Sequence, residues 1–491
     1  MKRHPTPATI VPEAVVPADA GNHDRIAAIS ALPIPDISLW QRVHLVGIGG
    51  AGMSGIAHLL LARGVAVSGS DLKESRALAV LRPRAEIFIG HRAEHVHQPD
   101  AVVVSTAIPF DNPEVAAARD HGIPVVTRAQ VLAALTAAHR TVAVAGTHGK
   151  TTTTSMIAMM LAGAGADPTF VVGGDLNEIG SGAGVGAGGI FVAEADESDG
   201  SFLLLHPDIA VITNIEEDHL DFYSGGREEI ERAFSAFAGQ AGSVVAWWDD
   251  PGVQSALANS PNVIREGESP DSDVAVVSWA PTPTGTRATV RVLGSEVDVE
   301  LSVRGEHNVR HAAESLAVAK LLDVPLEKAA NALRSFTGVR RRFEVRGEAR
   351  GATFVDDYAH HPSEVRVLLE TARTDGARRI VAVFQPHRYT RTAAMWRALG
   401  ASLGDADVAV ITDIYSAGEP PMPGVTGKLL VDALSEAAPG KRVVYLPHRS
   451  EVPAFLAREV RPGDLVLTIG AGDITMVGDE TLDRLREIEE A

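Results

Sequence analysis

The sequence predicts an α/β protein of three domains: a Rossmann-like N-terminal domain, a central domain built on a P-loop ATPase-type parallel sheet, and a C-terminal doubly wound α/β domain. Three observations lead there. Short β-branched runs alternate with helical stretches from about residue 40 onward, the pattern of parallel strands joined by crossover helices. That pattern restarts at "TVAVAG" and again after "FTGVRRRFEVRGEARG", which places boundaries near residues 138 and 343. A chain of 491 residues exceeds what one core can hold, and its 45% hydrophobic content can fill several.

Residues 1–38 are rich in Pro and Ala without periodicity and predict a flexible extension. The domains then span 39–138, 139–342 and 343–491. The first opens with "RVHLVGIGGAGMSGIAHLLLARGVAVSGSD", a strand, a glycine turn, a helix and a second strand that ends at Asp71. Gly47, Gly49 and Gly52 match the dinucleotide fingerprint, Gly50 lies between them, and Asp71 falls about 20 residues on, where a ribose contact belongs. Such a loop holds phosphate through backbone N–H groups and the helix dipole. It therefore fits NAD and a pyrophosphate compound such as a UDP-sugar equally well, with a plain strand-to-helix turn as the lesser alternative. His91, Ser105 and Thr106 end further apolar runs and are placed to line the same crevice.

The central domain begins with "AVAGTHGKTTTT". The pattern G-x-x-x-x-G-K-[ST] asks for glycine where Val144 stands. The strand context still marks Gly146, Thr147, His148, Gly149, Lys150, Thr151 and Thr152 as a nucleotide site. Backbone N–H groups of Thr147 to Lys150 would cradle phosphate, and Lys150 would reach the terminal phosphates. Two neighbouring runs end in acids. "GIFVAEADESD" ends at Glu194, Asp196 and Glu197, and "DIAVITNIEEDHLD" at Asn214, Glu216, Asp218 and His219. Thr151 and Glu194 supply the hard oxygen ligands that Mg²⁺ prefers.

The C-terminal domain offers "DDYAHHP", from Asp356 to Pro362, and "FQPHRYTRT", from Gln385 to Thr392. Both come after apolar runs and so belong on one rim, with His387, Arg388 and Arg391 as a cationic group for a carboxylate or phosphate. Composition narrows the partners. With 44 basic and 63 acidic residues the net charge is −19, which argues against nucleic acid and anionic membrane surfaces. The absence of cysteine rules out disulfides, thiolate zinc sites and thiol nucleophiles. With no apolar run of membrane-spanning length, the expected location is cytoplasmic, without membrane insertion.

Taken together, "GTHGKTTTT", "EADESD", "TNIEEDHLDFY", "GEHNVRHAAESLAVA", "RRRFE", "DDYAHHPSEV" and "FQPHRYTRT" resemble, in order, the ATP-dependent Mur ligases of peptidoglycan synthesis. The resemblance covers nearly everything after residue 40 and includes the variant loop with Val144. It implies UDP-N-acetylmuramate on the N-terminal domain, at Gly49, Gly50, Asp71, His91, Ser105 and Thr106. ATP and Mg²⁺ would bind the central domain and an amino acid the C-terminal one. "GIGGAGMSGIA" is similar to the members that take L-alanine. In such enzymes the lactyl carboxylate attacks the γ-phosphate, and the amine then displaces phosphate from the acyl phosphate. By resemblance, Lys150, His219, His387, Arg388 and Arg391 carry catalysis, Glu194 and His219 join Thr151 as metal ligands, and Asn308, Arg342 and Asp357 contact ATP. A monomer or weak homodimer is expected. Where the family commonly has Asn, this chain has His311. Relatives that add later amino acids carry a carbamoylated lysine after the "DH" motif, whereas no lysine lies between Lys150 and Lys320 here. An NAD-dependent oxidoreductase would leave the phosphate loop idle. The nearest rival is a ligase that attaches intact tripeptide to the same nucleotide sugar.

Overall fold

The computed structural model describes residues 22–109, 111–174, 182–220, 222–374 and 376–490. Its strands form three sheets, each at one of the expected domain positions. The first contains β1 (Arg42–Val46), β2 (Ala66–Asp71), β3 (Glu86–Ile89), β4 (Ala101–Val104) and β5 (Val125–Thr127). They lie in the order β3-β2-β1-β4-β5, and every pair is parallel. The order reverses between β1 and β4, so a crevice opens beyond their carboxyl ends, where the glycine loop of residues 47–50 begins.

The central sheet comprises β6 (Arg140–Ala145), β7 (Thr169–Val171), β8 (Ala183–Gly184), β9 (Ile190–Glu194), β10 (Ile209–Ile212), β11 (Ser243–Trp247), β12 (Val263–Glu266), β13 (Val274–Thr282), β14 (Gly285–Val292) and β15 (Ser295–Leu301). Its order is β15-β14-β13-β12-β11-β10-β6-β9-β7-β8. β6 lies between β9 and β10 and is parallel to both, with Val144 opposite Glu194 and Ala145 opposite Ile212. That register brings three strand ends to one edge. Strands β6, β9, β10 and β11 are apolar and mostly buried along their length, as strands covered on both faces should be.

The third sheet holds β16 (Glu344–Ala349), β17 (Ala352–Asp357), β18 (Arg379–Phe384), β19 (Val408–Ile411), β20 (Arg442–Tyr445) and β21 (Asp464–Ile469). The order is β16-β17-β21-β18-β19-β20, antiparallel only between β16 and β17. The contacts divide the chain into two compact units. One holds the first two sheets, through residue 280 with 287–301 and 309–337, and the other holds 281–286, 302–308 and everything from 338 on. The third sheet thus belongs to a unit of its own, while the helix Ala51–Ala62 ties the first two sheets together. A Cβ on its Gly55 would lie 3.2 Å from the Val171 side chain on β7.

The expectation of a flexible extension to residue 38 is corrected in part. Asn22–Ser30 is a helix, and Ile29 is buried in the core of the first unit. Arg25 Nη1 donates to the Phe222 carbonyl at 2.7 Å, and Gln130 Nε2 donates to the Pro33 carbonyl at 2.9 Å. The helix is short and buries few apolar side chains, so it leaves no legible period in the sequence. Residues 1–21 lie outside the described residues.

Candidate functional site

β6 runs into a loop whose shape depends on two glycines. Gly146 has φ +140° and Gly149 φ +84°, in regions that side chains rarely adopt, and Gly149 caps the helix Lys150–Gly163. A Cβ on Gly149 would lie 2.5 Å from Cε1 of His311, whose ring therefore rests on the loop. His311 Nδ1 is 3.2 Å from Glu314 Oε2, which also accepts from Thr153 Oγ1 at 3.0 Å. Residues just past β10 brace the loop from the other side. Thr147 N donates to Asn214 O at 3.1 Å and His148 N to Asn214 Oδ1 at 2.9 Å, while Thr213 Oγ1 and Asn214 Nδ2 hold the His148 carbonyl. Glu216 N donates to Thr147 Oγ1 at 2.8 Å.

This bracing corrects the expected phosphate cradle. In this structure the N–H groups of Thr147 and His148 are already satisfied by Asn214. The N–H groups of Gly149, Lys150, Thr151 and Thr152, at the helix N-terminus, have no acceptor among the described residues and face where the dipole favours an anion.

Lys150 is turned back onto its own loop. Its ammonium donates to the carbonyls of Gly146 at 2.6 Å and Thr147 at 3.3 Å, and to Glu197 Oε1 at 2.7 Å. Burial opposes its charge, but Glu197, Asp196 and Glu194 outweigh burial and keep it protonated. Burial pushes Glu197 up to about 7, against the pull of Lys150 and with repulsion from Asp196, and its Oε2 has no hydrogen-bond partner among the described residues. We therefore read the pair as a firm ammonium beside a carboxylate that is easily protonated. The sequence showed Glu197 only as an acid at a strand end; its bond to Lys150 stayed hidden because it spans 47 positions.

Thr151 and Glu194 do meet. Thr151 Oγ1 is 3.1 Å from Glu194 Oε1, and Gly173 N donates to Glu194 Oε2 at 2.7 Å. Two cis ligands of an octahedral Mg²⁺ with bonds of about 2.0–2.1 Å stand roughly 2.9 Å apart, so this oxygen pair fits the ion. His219 sits at φ +54° with Nε2 3.6 Å from Asp218 Oδ2. Arg128, on the helix after β5, reaches to 3.7 Å from Asp196 and covers Gly52, joining the glycine loop of the first sheet to the acids of the second.

At the first site, Asp71 Oδ2 accepts from Gly49 N at 2.9 Å, and Gly47 N and Ile48 N donate to the Ser70 carbonyl. Asp71 is thus committed to shaping the loop as well as standing at the crevice. Gly50 is the N-cap of the helix Ala51–Ala62, Ser105 and exposed Thr106 come after β4, and His91 comes after β3.

In the second unit, the expected rim is present, because β17 and β18 flank β21 in parallel. Asp357 is buried, with its oxygens accepting from Phe343 N at 2.7 Å and Ala359 N at 2.8 Å, and burial pushes it up to about 6. Arg342 lies over the Tyr358 ring and 3.5 Å from Glu364, while Asn308 Nδ2 donates to the Arg304 carbonyl at 2.6 Å. His387 stacks on Tyr415 and meets His360 edge-on. Burial, His360, Arg391 and Arg388 depress it to about 4. The expected cationic trio is therefore corrected: near neutral pH His387 is uncharged, and Arg388 and Arg391 carry the positive charge.

Three family models cover most of the chain: the Mur ligase family catalytic domain over residues 42–140, the Mur ligase middle domain over 144–319, and the Mur ligase glutamate ligase domain over 341–472. The UDP-N-acetylmuramate–L-alanine ligase of Saccharopolyspora erythraea is 49% identical over 91% of this chain and 93% of its own length. That of Mycolicibacterium smegmatis is 48% identical over 91% and 95%. Among solved structures, the UDP-N-acetylmuramate–alanine ligase of Thermotoga maritima aligns with TM-score 0.78 at 30% identity, over 91% of this chain and 99% of that one. A murein peptide ligase from Psychrobacter arcticus aligns with TM-score 0.67 at 25% identity, over 91% and 98%. With the phosphate loop, the paired acids and all three sheets in this sequence order, the chain belongs to the Mur ligase family.

Proposed function

We propose that the protein is an ATP-dependent ligase that joins L-alanine to the lactyl carboxylate of UDP-N-acetylmuramate in peptidoglycan synthesis, releasing ADP and phosphate. The observation that carries the ATP-driven chemistry is the Lys150 loop set against Glu194 and Glu197 at adjoining strand ends. The substrate pair rests on relatives of near-full-length similarity that bear that name. The N–H groups of Gly149 to Thr152 and the Lys150 ammonium would bind and orient the triphosphate, and Lys150 would offset charge on the group in transfer. Thr151, Glu194 and His219 would hold Mg²⁺, which supplies further charge neutralisation when bound. Exclusion of water would protect the acyl phosphate until the amine arrives. Arg388 and Arg391 are suited to the carboxylate of the amino acid. No helix among the described residues is long and apolar enough to cross a membrane.

Phosphate release should require UDP-N-acetylmuramate, ATP and L-alanine together. Release with tripeptide and none with L-alanine would reassign the chain to the murein peptide ligase activity. Turnover should also survive rigorous removal of bicarbonate and CO₂. Carbamoylation needs a neutral lysine amine, residues 151–319 contain no lysine, and arginine stays protonated. Loss of activity on depletion, restored by bicarbonate, would show that a lysine elsewhere serves the metal.

A further inference from the structure

Beneath the crevice of the first sheet, behind the expected substrate residue His91, lies a buried polar cluster around Glu114. Glu114, in the first turn of the helix Pro113–Asp120, is fully buried. Its Oε2 accepts from Ser70 Oγ at 2.5 Å and lies 3.1 Å from His91 Nδ1. Its Oε1 lies 2.8 Å from His95 Nδ1, 3.6 Å from His44 Nε2 and 3.4 Å from the Arg92 N–H. Although burial opposes ionisation, the nearby His44 ring and the hydrogen bonds from Ser70 and His95 hold its carboxyl down at about 2. The group is therefore an acceptor only.

That fixes the protons around it. Ser70 has one hydroxyl proton, and the short contact to Glu114 uses it. His91 Nδ1 faces both Glu114 Oε2 and, at 2.9 Å, Ser70 Oγ. Were Nδ1 unprotonated, three acceptors would face one another around a single proton, so Nδ1 carries the hydrogen. The ring is then anchored by one nitrogen, and in its Nδ1–H tautomer Nε2 presents a lone pair. His91 comes after β3 at the carboxyl edge of the sheet, its side chain is 13% exposed, and Nε2 has no partner among the described residues. An imidazole held this way selects a hydrogen-bond donor on its ligand, not a carbonyl or a phosphate oxygen.

We propose that Glu114 is a positioning residue of the nucleotide-sugar site, locking His91 in the Nδ1–H form so that Nε2 accepts a hydrogen bond from an N–H or O–H group of the nucleoside. The assignment rests on the reading that this domain binds a uridine nucleotide. The uracil N3–H and the ribose 2′-hydroxyl share the required chemistry, and analogues separate them.

Titration calorimetry on the full chain should first show that UDP binds, which checks the underlying reading independently. Either 3-methyl-UDP or 2′-deoxy-UDP should then bind about tenfold more weakly than UDP. That penalty should vanish in His91→Phe. Equal affinity for all three nucleotides, or the same penalty with and without His91, would overturn the proposal. Glu114→Ala should raise KM for the nucleotide sugar about tenfold while leaving kcat and KM for ATP unchanged. Unchanged KM, or equal losses toward both substrates, would make Glu114 merely structural. Should that variant fail to fold, the imidazole ¹⁵N spectrum of the parent enzyme decides: an unprotonated Nε2 on His91 supports the assignment and a protonated one at neutral pH refutes it.

Discussion

A Lys150→Met enzyme is expected to fold, yet to turn over about a thousandfold more slowly than the parent, the scale seen when one preorganised donor to a transition state is removed. The loop loses the ammonium's bonds to the Gly146 and Thr147 carbonyls but keeps the rest of its support. Its conformation is set by Gly146 and Gly149 and by Thr213, Asn214 and Glu216, none of which is altered. The buried partner left behind is Glu197, which already sits at about 7 and so can take up a proton instead of standing as a bare charge. A pH dependence results. A carboxyl raised on folding contributes stability that is full below its ordinary value of 4.5 and is lost as pH rises through about 7. Without Lys150 the folded value climbs further, so the melting temperatures of variant and parent should be close near pH 6 and diverge above about pH 7. Adding Glu197→Gln should remove the divergence without restoring turnover. Near-normal phosphate release by Lys150→Met would remove the lysine from the chemistry. A melting difference that stays constant with pH would show that Glu197 is not its titrating partner.

The strand ends were legible in the sequence because parallel strands buried on both faces read as apolar runs, and the residues just beyond each run must lie on one edge of its sheet. Glu194, Asn214 and His219 were found in that way. The features that stayed hidden depend on register and on protons. Asn214 was visible as a strand-end residue, but nothing in its spacing showed that it occupies the N–H groups of Thr147 and His148. Glu114 comes after Asn-Pro at a helix start, a pattern that signals a cap, while its partners come from β1, β2 and the turn after β3. His387 reads as a cation beside two arginines, and only its burial against His360 and Tyr415 shows it to be neutral. Charge state is a property of the packed site, and residue type alone does not determine it.

Glu194→Gln is expected to lower turnover by about two to three orders of magnitude and to raise the Mg²⁺ concentration needed for half-maximal rate, with little change in melting temperature. The substitution is chosen for what it keeps. Glutamine retains an oxygen to accept from Gly173 N, which Glu194 Oε2 holds at 2.7 Å, so the turn after β7 should stay in place. It also retains the volume, which matters because a Cβ on Gly173 would lie only 2.6 Å from Glu194 Oε1, so backbone and carboxylate are already in close contact. It removes one negative charge and turns one oxygen into an N–H₂ group that cannot ligate a hard cation. With that group turned toward Thr151 Oγ1, now 3.1 Å from Oε1, the paired oxygens that fit Mg²⁺ no longer exist. A purely structural Glu194 predicts the opposite pattern, since its hydrogen bonds survive the change and both rate and Mg²⁺ requirement would stay at the parent's values. Thr151→Val tests the same pair from the other side. It should raise the Mg²⁺ requirement while leaving the Gly173 contact untouched, and if neither variant shifts that requirement the metal is held by other residues.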